Sequence, residues 1–109
     1  MSLNPELKAK IDQHVKDNPV LVFMKGTKDF PQCGFSARVV QVFNQLGVDF
    51  TDVNVLEDND IREGIKVYSD WPTIPQLYIN GEFVGGCDIT VEMFVSGELK
   101  QMLDNLPQQ

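Results

Sequence analysis

The sequence predicts an α/β fold with four strands in a mixed sheet flanked by helices, on three observations. The apolar run Val20-Leu21-Val22-Phe23-Met24 is followed by a helix-periodic stretch and then by a second strand-like run at residues 50–55. Strand, helix, strand in that order is the signature of a parallel β-α-β unit with a right-handed crossover. Asn80-Gly81 then separates Gln76-Leu77-Tyr78-Ile79 from Glu82-Phe83-Val84-Gly85-Gly86. Asn-Gly between two such runs is the strongest short-range signal for an antiparallel hairpin. Third, the chain opens and closes on amphipathic stretches with helical spacing, available to cover the sheet.

Taken in order, Asn4-Pro5 reads as an N-cap and first helical residue, with Glu6 suited to the opening turn. Leu7, Ile11 and Val15 follow at helical spacing, and Asn18-Pro19 ends the element. His14 lies beside that stripe with no second histidine to share a metal, and reads as a solvated helix residue. The first strand is apolar throughout, as expected of a strand buried on both faces. Beyond a polar loop, Phe35, Val39, Phe43 and Leu46 fall on one helix face, and Gly47 supplies the stop. After the second strand and the acidic turn Glu57-Asp58-Asn59-Asp60, a helix carries Ile61, Ile65 and Tyr68 on one face. Arg62 and Lys66, four apart, share another face, as in any solvated charged helix. Pro72 closes that helix by disfavouring helical geometry at Trp71. Past the hairpin, Gly85-Gly86 allows close backbone approach. A helical stretch with Ile89, Val91, Met93 and Phe94 runs to Gly97, and a last segment carries Leu99, Met102, Leu103 and Leu106.

A chain of 109 residues supports one domain with a single core, assigned here to residues 1–109. No apolar stretch approaches a membrane span, and no signal-like or Arg-rich leader is expected from the opening residues. The net charge of −7 argues against nucleic acid or an anionic membrane as main partner. Two cysteines are too few for a disulfide framework at this length, which suits a soluble protein of a reducing compartment.

The loop Lys25-Gly26-Thr27-Lys28-Asp29-Phe30-Pro31-Gln32 ends at Cys33, immediately before the second helix. A lone cysteine beside apolar residues is ordinarily a small buried hydrophobe. A cysteine at a helix start instead meets unpaired N–H groups and the positive end of the helix dipole, and both favour thiolate over thiol. A lysine close by, such as Lys25, adds to the effect. The expected chemistry is that of sulfur, with Cys33 as the catalytic residue.

Cys33-Gly34-Phe35-Ser36, together with Lys25, Trp71-Pro72-Thr73-Ile74-Pro75 and Gly85-Gly86-Cys87-Asp88, resembles the monothiol glutaredoxins of the CGFS type. The resemblance runs from about Asn4 to Leu106 and implies a thioredoxin fold of glutaredoxin type. It also implies a glutathione site. Lys25, Arg62 and Lys66 would take the glycine carboxylate of the tripeptide. Ile74, ahead of a cis Pro75, would pair with its backbone in strand fashion. Cys87 and Asp88 would hold the γ-glutamyl end, the helix-starting N–H groups suiting a carboxylate and the Asp88 side chain an ammonium. Five of the nine basic residues (Lys25, Lys28, Arg38, Arg62 and Lys66) lie in segments flanking this pocket. Trp71 is read as packing beneath one wall of it.

Ser36 stands where a dithiol enzyme carries its second cysteine, so Cys33 needs an outside thiol to release a bound glutathione. The resemblance implies a second use for such a thiolate. A [2Fe–2S] cluster commonly takes four thiolates. Cys33 and a bound glutathione supply two, and a homodimer supplies four, with Cys33 the only metal ligand from each chain. Members of the family pass such clusters to iron–sulfur acceptor proteins and form cluster-bridged pairs with BolA-like proteins. The alternative is a glutathione-dependent thiol–disulfide oxidoreductase that removes glutathione from proteins. Cys87 is open to three readings: a spectator whose backbone binds glutathione, a resolving thiol for Cys33, or a cluster ligand. Bacterial cytoplasm, plastid stroma and mitochondrial matrix all fit as compartments.

Overall fold

A computed structural model describes residues 3–107. The elements are α1 (Pro5–Asp17), β1 (Val20–Met24), α2 (Gly34–Leu46), β2 (Thr51–Asn54), α3 (Asn59–Ser69), β3 (Gln76–Ile79), β4 (Glu82–Gly85), α4 (Cys87–Ser96) and α5 (Glu98–Asp104). One 3₁₀ turn, Val55–Glu57, which periodicity does not reveal, joins β2 to α3. The sheet runs β2-β1-β3-β4, with β1 and β2 parallel and the other pairs antiparallel. This is the four-stranded mixed sheet of the thioredoxin and glutaredoxin fold.

Local chemistry accounts for most boundaries. The Asn4 side chain accepts from the Glu6 N–H at 2.8 Å, capping α1 with Pro5 in its first turn. The Asp58 carboxylate caps α3 through the N–H groups of Asp60 and Ile61. Gly47 and Gly97 end α2 and α4 in left-handed conformation, where a Cβ is disfavoured. At the hairpin, Asn80 and Gly81 have φ of 52° and 83°, the paired positive values of a type I′ turn. α3 stops before Trp71-Pro72: Asp70, at φ 54°, turns its N–H back to the Lys66 and Val67 carbonyls.

Strand alternation divides the core. Leu21 and Phe23 of β1 pack with Ile11 and Val15 of α1 and Ile61 and Ile65 of α3. Val22 and Met24 face the other way, against Val39 and Phe43 of α2 and Leu99 and Leu103 of α5. With both faces covered, a fully apolar β1 is what the fold requires. Two side chains depart from expectation. His14 is half-buried, its ring edge-on to Phe23 at 6.3 Å, because α1 lies close over β1. Phe35 leaves the buried stripe of α2 and is 60% exposed, its side chain lining an open groove instead of the core.

Candidate functional site

The loop between β1 and α2 folds on itself and is tied down on both sides. Gln32 donates to the Lys25 carbonyl at 2.9 Å, and Thr27 and Phe30 exchange backbone bonds of 3.2 and 3.1 Å. On the side of β2, the Asn54 side chain accepts from the Gly26 N–H at 2.9 Å, and the Asp52 carboxylate accepts from the Lys28 N–H at 2.7 Å. The Lys28 ammonium turns away from Cys33 to Asp49, at 2.9 Å, to the Phe50 carbonyl, and to the face of the Phe50 ring. Lys28 therefore anchors the loop and adds no charge to the groove described below. Asp49, Asp52 and Asn54 carry no motif, so sequence reasoning passes over them. Only the pairing of β1 with β2 brings them under the loop.

Cys33 is the N-cap of α2, in extended conformation and half-buried. Its thiol pKa lies below the ordinary value, chiefly through the Ser36 backbone N–H. The Phe35 N–H, the Lys25 charge and the Ser36 hydroxyl act in the same direction, against partial desolvation. The helix start thus outweighs the lysine in stabilising the thiolate. Ser36 is fully buried, and its hydroxyl accepts from the Lys25 N–H at 3.1 Å. Cys87 is 7% exposed, and burial pushes its thiol pKa up, with Asp88 and Cys33 adding to the rise and Arg38 opposing it. Iodoacetamide, which reacts with thiolates, should therefore modify Cys33 well before Cys87 at pH 7. Mass mapping of singly labelled protein checks this; equal labelling of both sites would contradict the assignment.

A groove of about 440 Å³ reaches Phe35 in the first turn of α2, the helix that Cys33 caps, without Cys33 itself in the lining. Trp71, Thr73, Ile74 and Pro75 contribute lining on one side, and Gly86, Cys87, Asp88 and Ile89 at the start of α4 contribute the rest with Phe35. The segments meet at Gly86, where an added Cβ would lie 3.3 Å from both the Pro75 carbonyl oxygen and Trp71 Nε1. The Ile74–Pro75 peptide is cis. Neither the N–H nor the C=O of Ile74 joins the backbone hydrogen bonds among the described residues. No side chain caps α4 at Gly86, so its first N–H groups are open to a ligand.

The residues singled out from the sequence separate into three places. Ile74, Cys87 and Asp88 line the groove, and Trp71, expected beneath it, is itself part of the lining and also packs on Phe83 at 6.0 Å. Lys66 sits in an adjoining recess that shares Trp71, paired with Glu63 at 3.2 Å. Lys25 acts on Cys33 through its charge. Arg62 lines neither space, but its Nε is buried with no hydrogen-bond partner. Such an orphaned donor is costly unless something completes it.

The glutaredoxin family model matches residues 20–84. An uncharacterized monothiol glutaredoxin of Synechocystis is 62% identical over 102 residues, covering 94% of this chain and 95% of that protein. The chain belongs to the monothiol glutaredoxin family. A chloroplastic monothiol glutaredoxin of Arabidopsis thaliana is 54% identical over 103 residues, 94% of this chain but 60% of that longer protein. Among solved structures, a reduced apo glutaredoxin of poplar superposes with a TM-score of 0.80 at 57% identity, covering 95% of both chains. A buckwheat glutaredoxin in complex with glutathione gives 0.80 at 30% identity, covering 91% of this chain and 88% of that one. No helix among the described residues of this monothiol glutaredoxin is long and apolar enough to cross a membrane.

Proposed function

We propose that this monothiol glutaredoxin binds glutathione along the groove and carries [2Fe–2S] clusters as cargo between two chains, for delivery to acceptor proteins. The observation that carries the reading is the inertness of every second position around Cys33. Ser36 is sealed and hydrogen-bonded where a resolving thiol would stand, and the Cys87 thiol is buried with a raised pKa. That leaves one accessible thiolate per chain, and a four-thiolate cluster then draws two sulfurs from a homodimer and two from glutathione.

In this arrangement Ile74 pairs with the tripeptide backbone through its open N–H and C=O. The α4 N-terminus at Cys87 takes the γ-glutamyl carboxylate, and Asp88 takes the ammonium. Lys25, Arg62 and Lys66 take the glycine carboxylate, which draws Lys66 from Glu63. Cys87 contributes backbone and leaves its sulfur idle. A BolA-like protein can replace one chain of the pair. A reducing compartment suits the free thiols, whether bacterial cytoplasm, plastid stroma or mitochondrial matrix.

The test is anaerobic reconstitution with iron, sulfide and glutathione, followed by visible absorption and native mass. A coloured dimer that bleaches when glutathione is removed is the expected result. Colourless monomer under full loading would sink the reading.

The lowering of the Cys33 pKa, together with its place at the N-terminus of α2, also favours a second reading as an oxidoreductase. Here the Cys33 thiolate attacks the glutathionyl sulfur of a mixed disulfide and the protein thiolate leaves. A second glutathione thiolate then displaces Cys33, forming glutathione disulfide. Turnover of a glutathionylated protein no faster than free glutathione achieves would remove this reading.

A further inference from the structure

Gln76 opens β3, yet its side chain is fully buried and makes no contribution to the sheet ladder. Its amide nitrogen donates to the Trp71 carbonyl at 3.2 Å and to the Thr73 carbonyl at 3.1 Å. Its amide oxygen accepts from the Tyr78 hydroxyl at 3.3 Å. Both amide protons and the oxygen are thereby used, which sets the orientation of the group. Tyr78 is 2% exposed and held by rings on two sides, Phe23 at 5.5 Å and Phe83 at 5.4 Å. A rigid tyrosine thus aims a buried amide at the two carbonyls that bracket the bend from Trp71 to Thr73. This bend supplies one side of the groove and leads directly into Ile74, whose own N–H and C=O are uncommitted.

We propose that Gln76 is a positioning residue: it sets the backbone of residues 71–74 so that Ile74 presents its free polar groups to a bound glutathione. The role rests on the glutathione reading above. Gln76 touches no ligand and acts entirely through the two carbonyls. Pulling the Trp71 and Thr73 carbonyls inward keeps them from competing with Ile74 for the ligand and holds the bend in one conformation before binding. A preset backbone binds more tightly than one that must be ordered on binding.

The experiment compares two thiol–disulfide equilibria at Cys33. In one, glutathione disulfide is exchanged to a Cys33–glutathione mixed disulfide and free glutathione; in the other, hydroxyethyl disulfide is used. The ratio of the two equilibrium constants isolates recognition of the tripeptide, because thiol acidity and helix position affect both. Gln76→Leu should lower that ratio about tenfold while leaving the hydroxyethyl constant unchanged. Tyr78→Phe, which removes one hydroxyl from a rigid site, should lower it about threefold and serves if Gln76→Leu fails to fold. Val15→Ala, a core truncation on α1, should lower the melting temperature and leave the ratio alone. If the wild type shows no preference for glutathione, the underlying glutathione reading falls. If it shows the preference and both the folded Gln76→Leu protein and Tyr78→Phe retain it in full, the positioning role falls while glutathione binding stands. A ratio that follows melting temperature across all three variants would equally overturn it.

Discussion

Cys33→Ser is expected to yield colourless, monomeric protein after anaerobic loading, whereas Cys87→Ser keeps both the colour and the dimer. The two thiols differ in surroundings more than in chemistry. Cys33 caps α2, half-buried, with the Ser36 and Phe35 N–H groups holding its thiolate. A serine there has a hydroxyl far too weakly acidic to replace a thiolate as a soft ligand. The Cys87 thiol is 7% exposed and burial raises its pKa, so on the proposed reading its sulfur is not needed for the cluster. The pair of variants discriminates sharply, because the expected change is total loss against near-complete retention. Colour surviving in Cys33→Ser would show that the ligand has been misassigned, and loss in Cys87→Ser would make Cys87 a ligand.

Gly26→Ala should be the most damaging single-methyl addition in the loop that leads to Cys33. Gly26 has φ of +90°, and an added Cβ would lie 2.5 Å from the Phe30 carbonyl oxygen and 2.6 Å from the Gln32 nitrogen. Both obstacles are backbone, so neither can yield by a rotamer change. Positive φ at a non-glycine residue costs on the order of 1–3 kcal/mol, and steric displacement of the loop adds to it. A total of about 3 kcal/mol corresponds to a melting temperature lowered by roughly 12–24 °C for a domain of this size. Displacement also loosens the Gly26 bond to Asn54 and the Lys28 anchor on Asp52, so the preference of Cys33 for glutathione should weaken too. Gly34→Ala is the internal control. No atom lies within 4 Å of its added Cβ, and it sits in the first turn of α2, so its effect should stay within about 0.5 kcal/mol. Similar melting temperatures for the two variants would show that the loop is not closed as described.

Several parts of this molecule are legible without coordinates because their causes lie within a few residues. Asn4-Pro5, Gly47, Asn80-Gly81 and Gly97 mark boundaries through capping and positive-φ chemistry that each carries locally. The all-apolar β1 declares a strand covered on both faces. A cysteine before a helix-periodic stretch announces an activated thiol, and a serine three residues on announces that it acts without a partner in its own helix.

What the linear order leaves open depends on distant segments meeting. Gln76 reads as one more strand residue until β3 pairs with β1 and its side chain turns under the bend at Trp71 and Thr73. Asp52 and Asn54 read as polar breaks in a strand until β2 lies beside β1 and presents them to the loop. Phe35 has the spacing of a core residue, but its side chain lines the open groove, while Ser36 in the same turn is sealed. Local propensity and periodicity act over one or two helical turns, so the sequence alone determined the main helices and strands, their order and the placing of Cys33 at a helix start, and left Cys87 open. Tertiary packing acts between residues dozens of positions apart. It decided which polar groups support the groove, which cations face the thiol and which are held away.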